Sequence, residues 1–100
     1  SEVSIEDVER GAKLAQEELE SRVFASTAAE LSRGDLDFLR AMNPVGTTTR
    51  QELAARLKKS SGSISTYKKR LVEAGVIEEP LQGRFEFALP GFGRYVASLY

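Results

Sequence analysis

Two short apolar periodicities lie back to back between Thr49 and Ala74, and only Lys58-Lys59-Ser60-Ser61-Gly62 separates them. That spacing constrains the fold more than any other feature of the chain. Leu53, Ala54 and Leu57 mark one helix face and Ile64, Tyr67, Leu71 and Val72 the next, so two helices must turn sharply within a few residues. The flanking signals agree. Thr49-Arg50-Gln51-Glu52 fits a capping box, in which hydroxyl and carboxylate each satisfy a free amide at the other's position. Gly75 closes the second helix, expected from Ser63 to Ala74, as a left-handed cap does. Upstream, Ser32-Arg33-Gly34-Asp35 opens a helix with Leu36, Leu39 and Met42 on one face. Asn43-Pro44-Val45-Gly46 stops it, because proline cannot continue a helix.

Beyond Gly75, Val76-Ile77-Glu78-Glu79 and the alternating Arg84-Phe85-Glu86-Phe87-Ala88 flank a turn at Pro80-Leu81-Gln82-Gly83, which predicts a β-hairpin. Pro90 through Tyr100 reads as a last helix packed by Phe92, Tyr95, Val96 and Leu99. The predicted fold class is therefore mostly α. It is a winged helix-turn-helix over residues 32–100, with a three-helix core, a two-stranded β-hairpin wing and a C-terminal helix. Residues 1–31 read as an additional N-terminal helix and a junction. Ser4 caps the helix, Ile5, Val8, Ala12, Ala15 and Leu19 form its apolar stripe, and Phe24 anchors the junction over 21–31. An uncovered stripe over residues 5–19 would drive self-association.

Charge divides at the same place. Residues 1–31 hold eight acids and three bases, a net −5, and residues 32–100 hold eleven bases and seven acids, a net +4. The basic part calls for an anionic partner. Cysteine and histidine are absent, which removes disulfides, thiol nucleophiles, imidazole bases and most zinc sites. The remaining acids do not pair for chemistry: Asp35 and Asp37 sit at a helix start, and Glu78 and Glu79 alternate on a strand. Ser60 and Ser61 lack an activating base. The expectation is no catalytic residue, no metal site, no membrane span and a cytoplasmic location.

In a helix-turn-helix the second helix presents its exposed residues to a groove, and nearby cations meet phosphates. Ser63, Ser65, Thr66, Lys68, Lys69 and Arg70 occupy those positions, with Lys58, Lys59 and Arg84 as further phosphate contacts. No Asn or Gln lies on that helix to read adenine, so binding to DNA is expected to be weak or non-specific and steeply salt-dependent. The alternative is a protein-docking module, with Phe24, Phe92, Tyr95 and Tyr100 as anchors where exposed.

The stretches Ala29–Met42 and Thr49–Val96 resemble the C-terminal winged-helix region of bacterial ATPases of the AAA type. The run Phe38-Leu39-Arg40-Ala41-Met42, the helix exit Leu71–Ile77 and Phe87-Ala88-Leu89-Pro90 carry the likeness. Residues 1–20 then resemble the end of the helical lid that precedes this region. The resemblance implies a piece of a larger ATPase, with the ATPase core of the same polypeptide as a partner. ATP and magnesium would belong to that core. The chain has no glycine-rich phosphate loop ending in lysine and Ser/Thr, so it should bind no cofactor and hydrolyse no ATP by itself.

Overall fold

The computed structural model describes residues 18–99. They fall into two units that part between Glu30 and Leu31.

In the first unit, residues 18–29 form helix α1. Residues 21–29 are thus helical, where an irregular junction was expected, because neither proline nor glycine interrupts them. Arg22 reaches back one turn to Glu18 at 3.4 Å, and the Thr27 hydroxyl donates to the Val23 carbonyl at 2.9 Å. Leu19 and Val23 are exposed. The Ser4 helix start, the rest of the 5–19 stripe and Tyr100 lie outside the described residues.

The second unit is mostly helical with a small three-stranded antiparallel sheet. Helix α2 spans Arg33–Ala41, and Ser32 and Asp35 close both halves of its capping box. Strand β1, Thr48–Thr49, leads into α3, Arg50–Leu57. Here Thr49 accepts from the Glu52 amide at 3.1 Å, while the Glu52 carboxylate turns to Arg56 at 3.6 Å instead of closing the box.

Helix α4 spans Ser61–Glu73 and so starts two residues earlier than the glycine suggested. Ser60 is its cap, accepting from the Ser63 amide at 3.2 Å, and Gly62 lies inside the first turn. The left-handed residue that ends α3 is Lys58, at φ 54. The far end of α4 follows expectation. Gly75, at φ 76, donates to Val72 and Val76 donates to Leu71, the paired bonds of a Schellman cap.

Strands β2, Ile77–Leu81, and β3, Arg84–Phe87, form the hairpin. Strand β2 absorbs Pro80 and Leu81 through a register shift after Glu78, so the turn tightens to Gln82-Gly83. The expected two strands become three because β1 pairs with β3, Thr48 opposite Phe85 and Thr49 opposite Arg84. Helix α5, Phe92–Ala97, is shorter than expected; Gly91 in the left-handed region precedes it.

Phe38, Leu39, Leu53, Ile64, Leu71, Val76, Ile77, Phe85, Phe92 and Val96 fill the core with Met42. Phe38 stands between Tyr67 and Phe85, with ring centroids 6.2 and 6.4 Å away. Val72, expected inward, is exposed, and Leu36 is only half-buried. Buried Thr48 accepts from the Asn43 amide at 2.7 Å, which ties the loop after α2 to the sheet. No helix among the described residues is long and apolar enough to cross a membrane.

Helix α5 approaches the α2–β1 loop closely enough to require glycine. A Cβ on Gly93 would stand 2.5 Å from the Pro44 carbonyl oxygen and 2.8 Å from the Phe87 ring. Gly93→Ala is therefore expected to cost about 1–3 kcal/mol through overpacking, measured by urea denaturation. An unchanged midpoint would mean that this contact yields freely.

Candidate nucleic-acid interface

The nine polar residues singled out from the sequence lie in four places: the α3–α4 turn (Lys58, Lys59), the first half of α4 (Ser63, Ser65, Thr66), its middle (Lys68, Lys69, Arg70) and β3 (Arg84). What each does depends on which groups already claim it.

Arg70 is claimed most completely. Its Nε donates to Asp35 at 3.1 Å, a second guanidinium nitrogen donates to the same oxygen, and its plane lies 5.2 Å from the Tyr67 ring. Asp35 is 5% exposed. Burial pushes its carboxyl up, but hydrogen bonds from Arg70 and Ser32 outweigh burial and hold it below its ordinary value. Arg70 thus clamps α4 to α2, a role invisible in a linear reading that sees only a basic run.

Lys68 is claimed as well. It meets Glu79 of β2 at 3.1 Å, and Glu79 also accepts from the Gly83 amide at 2.9 Å. The Gly83 bond, with Lys68 behind it, holds the Glu79 carboxyl below its ordinary value against the opposing effect of burial. One carboxylate so fixes the hairpin turn against the flank of α4.

Sequence reasoning passed over Arg50. It donates to the Ser65 hydroxyl at 2.7 Å and to the Ser61 carbonyl at 3.2 Å, while its guanidinium lies 5.8 Å from the Phe85 ring. Its backbone amide donates to the Gly83 carbonyl at 2.9 Å. Arg50 therefore brings the start of α4, the start of α3 and the hairpin turn together. Its place directly after a capping threonine was the available signal. Ser65 is an internal acceptor here, and Ser63 and Thr66 bond within their own helix, to Ser60 and to the Gly62 carbonyl.

The remaining cations point outward. Lys58, Lys69 and Arg84 are exposed and form no ion pair among the described residues. Lys59 lies over the Tyr67 ring at 5.7 Å with its charge unneutralised. Lys69 shares the outer face of α4 with Gly62, Thr66 and Glu73, at helical spacing. Arg84 is next to Thr49 in register, and so beside the start of α3, where the Arg50 side chain reaches on to Ser61 and Ser65 of α4. No group of three or more metal-ligating side chains occurs among the described residues.

The hairpin also carries an opposing charge. Glu78 and Glu86 face each other across β2 and β3. A hydrogen bond shared with Glu78 raises the Glu86 carboxyl above its ordinary value, with burial and like charge adding to the effect.

A family model matches residues 21–96, and the chain belongs to that family, described as a domain of unknown function (DUF8462). No curated protein matches the chain.

The two carboxylates have opposite linkage. The depressed Asp35 contributes stability above the unfolded carboxylate range and loses it as pH falls through its lower folded value. Asp35→Asn should lower stability at neutral pH by roughly 1–3 kcal/mol, the gap closing as pH falls below the ordinary carboxylate range. The raised Glu86 favours folding only while protonated and opposes it once pH rises through its folded value. Glu86→Gln should therefore stabilise the chain at neutral pH and not in acid. Denaturant melts at both pH values check both; a constant Asp35→Asn deficit would show that its ionisation is irrelevant.

Proposed function

We propose that residues 31–99 are a winged helix-turn-helix that binds nucleic acid, DNA in the first instance, with α3 and α4 as the motif and the β2–β3 hairpin as the wing. The observation that carries this is the division among the cations. Asp35 and Glu79 occupy Arg70 and Lys68, and the unneutralised Lys58, Lys59, Lys69 and Arg84 are spread over the turn before α4, its outer face and strand β3 beside the start of α3. A helix of 13 residues with one face exposed and flanked by cations suits a major groove. Ser65 already accepts from Arg50 and Thr66 already donates within α4, so few side chains are left to read base edges. Phosphate contact is the mode this surface supports best.

Lys58 supports the reading independently. It takes the left-handed position that ends α3, where glycine is the residue without strain. A lysine there gains nothing in packing, since it is exposed. Strain held at an exposed cation fits a role in binding. The ATPase setting rests on the resemblance of Ala29–Met42 and Thr49–Val96. In that setting the domain would dock a parent ATPase on nucleic acid and itself lack catalytic residues.

Fluorescence anisotropy with a labelled generic duplex, over a salt series, tests the proposal. Four phosphate contacts predict a log–log salt slope of about −3 to −4, and Lys58/Lys69/Arg84→Ala should flatten it by about 3. Lys58→Gly separates the two roles of that residue: stability should rise by about 1 kcal/mol while binding weakens. A folded chain that does not bind at low salt, or a triple variant with an unchanged slope, overturns the assignment.

A further inference from the structure

A shallow cleft with no residue of α4 in its lining lies between the α2–β1 loop, β3 and the β3–α5 loop. Its volume is about 200 Å³, and Pro44, Val45, Phe87, Leu89 and Pro90 supply its apolar walls, with Glu86 among the lining residues. Pockets for drug-sized molecules span about 300–1,000 Å³, so this one suits a single side chain and not a cofactor.

The cleft is rigid. The Asn43 amide donates to Thr48 at 2.7 Å, its side-chain amide donates to the Thr47 carbonyl at 2.9 Å, and Arg56 donates to the Ala41 carbonyl and to the Asn43 side chain. These bonds hold a loop whose Val45 is 67% exposed. On the opposite wall, Phe87 meets Phe92 edge-on, and the Pro44 carbonyl lies so near Gly93 that a Cβ there would collide with it. A loop fixed so firmly while presenting a bare aliphatic side chain has the character of an anchor site.

Charge selects the occupant. Glu86 and Glu78 stand opposite each other with no cation paired to either among the described residues. We infer that this cleft is a protein-docking site for a short segment that inserts one apolar side chain between Val45 and Phe87 and sets a neighbouring lysine or arginine against Glu86 and Glu78. The cation removes the repulsion between the two carboxylates, and the preformed walls spare the ordering cost that weakens most small interfaces. None of Lys58, Lys59, Lys69 and Arg84 lines this cleft.

The test is a nitrogen-15 NMR titration of the full chain with capped pentapeptides. Each carries a central leucine or alanine, followed by either two arginines or two glutamates. The leucine–arginine peptide should shift the amides of Val45, Gly46, Phe87, Leu89 and Gly91 saturably, with a dissociation constant near or below about 1 mM. Replacing leucine by alanine, or arginine by glutamate, should weaken binding at least about fivefold. Val45→Ala and Glu86→Gln, which alter a surface residue and a charge, should each reduce it, and unchanged spectra elsewhere would show that both still fold. No saturable shift, equal binding of the glutamate peptide, or shifts centred on α4 would each overturn the inference. The same amides responding to duplex DNA would assign the cleft to nucleic acid and overturn it too. Loss of duplex binding in Lys58/Lys69/Arg84→Ala leaves this outcome unaffected, so the two sites can fail separately.

Discussion

Asp35 has almost no access to solvent and receives donors from two directions: the Ser32 amide at 3.0 Å from its own helix start, and the Arg70 guanidinium from α4. A carboxylate so buried and so supplied cannot be moved without orphaning several groups at once. It sets the roll of α4 against α2, and with that roll the residues of α4 that face outward. The Tyr67 ring, lying between Lys59 and Arg70 and against Phe38, fills the space under the clamp. On the other side of α4 the Lys68–Glu79–Gly83 chain and Arg50 hold the hairpin by the same logic. Two carboxylates and two arginines thus decide how helix and hairpin are presented, while the apolar core supplies the bulk of the driving force.

Much of this organisation was legible in the linear chain because capping chemistry is local. Ser32 with Asp35, Thr49 and Gly75 each mark a boundary where the structure has one, since a hydroxyl or a missing Cβ acts within a few residues. The start of α4 was misplaced for the same reason: Gly62 looks like the turn, yet Ser60 caps the helix and Lys58 takes the left-handed position. Strand β1 could not be seen, because two threonines form a strand only when Arg84 and Phe85 lie beside them. Nor could Pro80 and Leu81 be placed in a strand without knowing that β2 shifts register before them.

Side-chain allegiance was the least legible property. A run such as Lys68-Lys69-Arg70 presents three equal charges on paper, and the fold makes them unequal. Lys68 faces a carboxylate on a strand eleven residues away, Arg70 one on a helix thirty-five residues back, and only Lys69 of the three forms no ion pair among the described residues. Periodicity gives the direction in which a side chain leaves a helix but not the group that it meets. An electrostatic footprint drawn from sequence therefore overstates the cations available to a phosphate backbone and hides structural arginines such as Arg50.

The sheet has a further consequence. In the order β1-β3-β2, one edge is a strand of only two residues and the other carries Pro80 and an irregular register. A proline removes a donor from the edge, and a shifted register bends the edge away from a straight partner. Neither border is a template on which a second backbone can continue the hydrogen-bond ladder. Many copies could then be crowded along one polymer without fusing through their sheets, and contacts between them would have to be made by side chains, which are reversible.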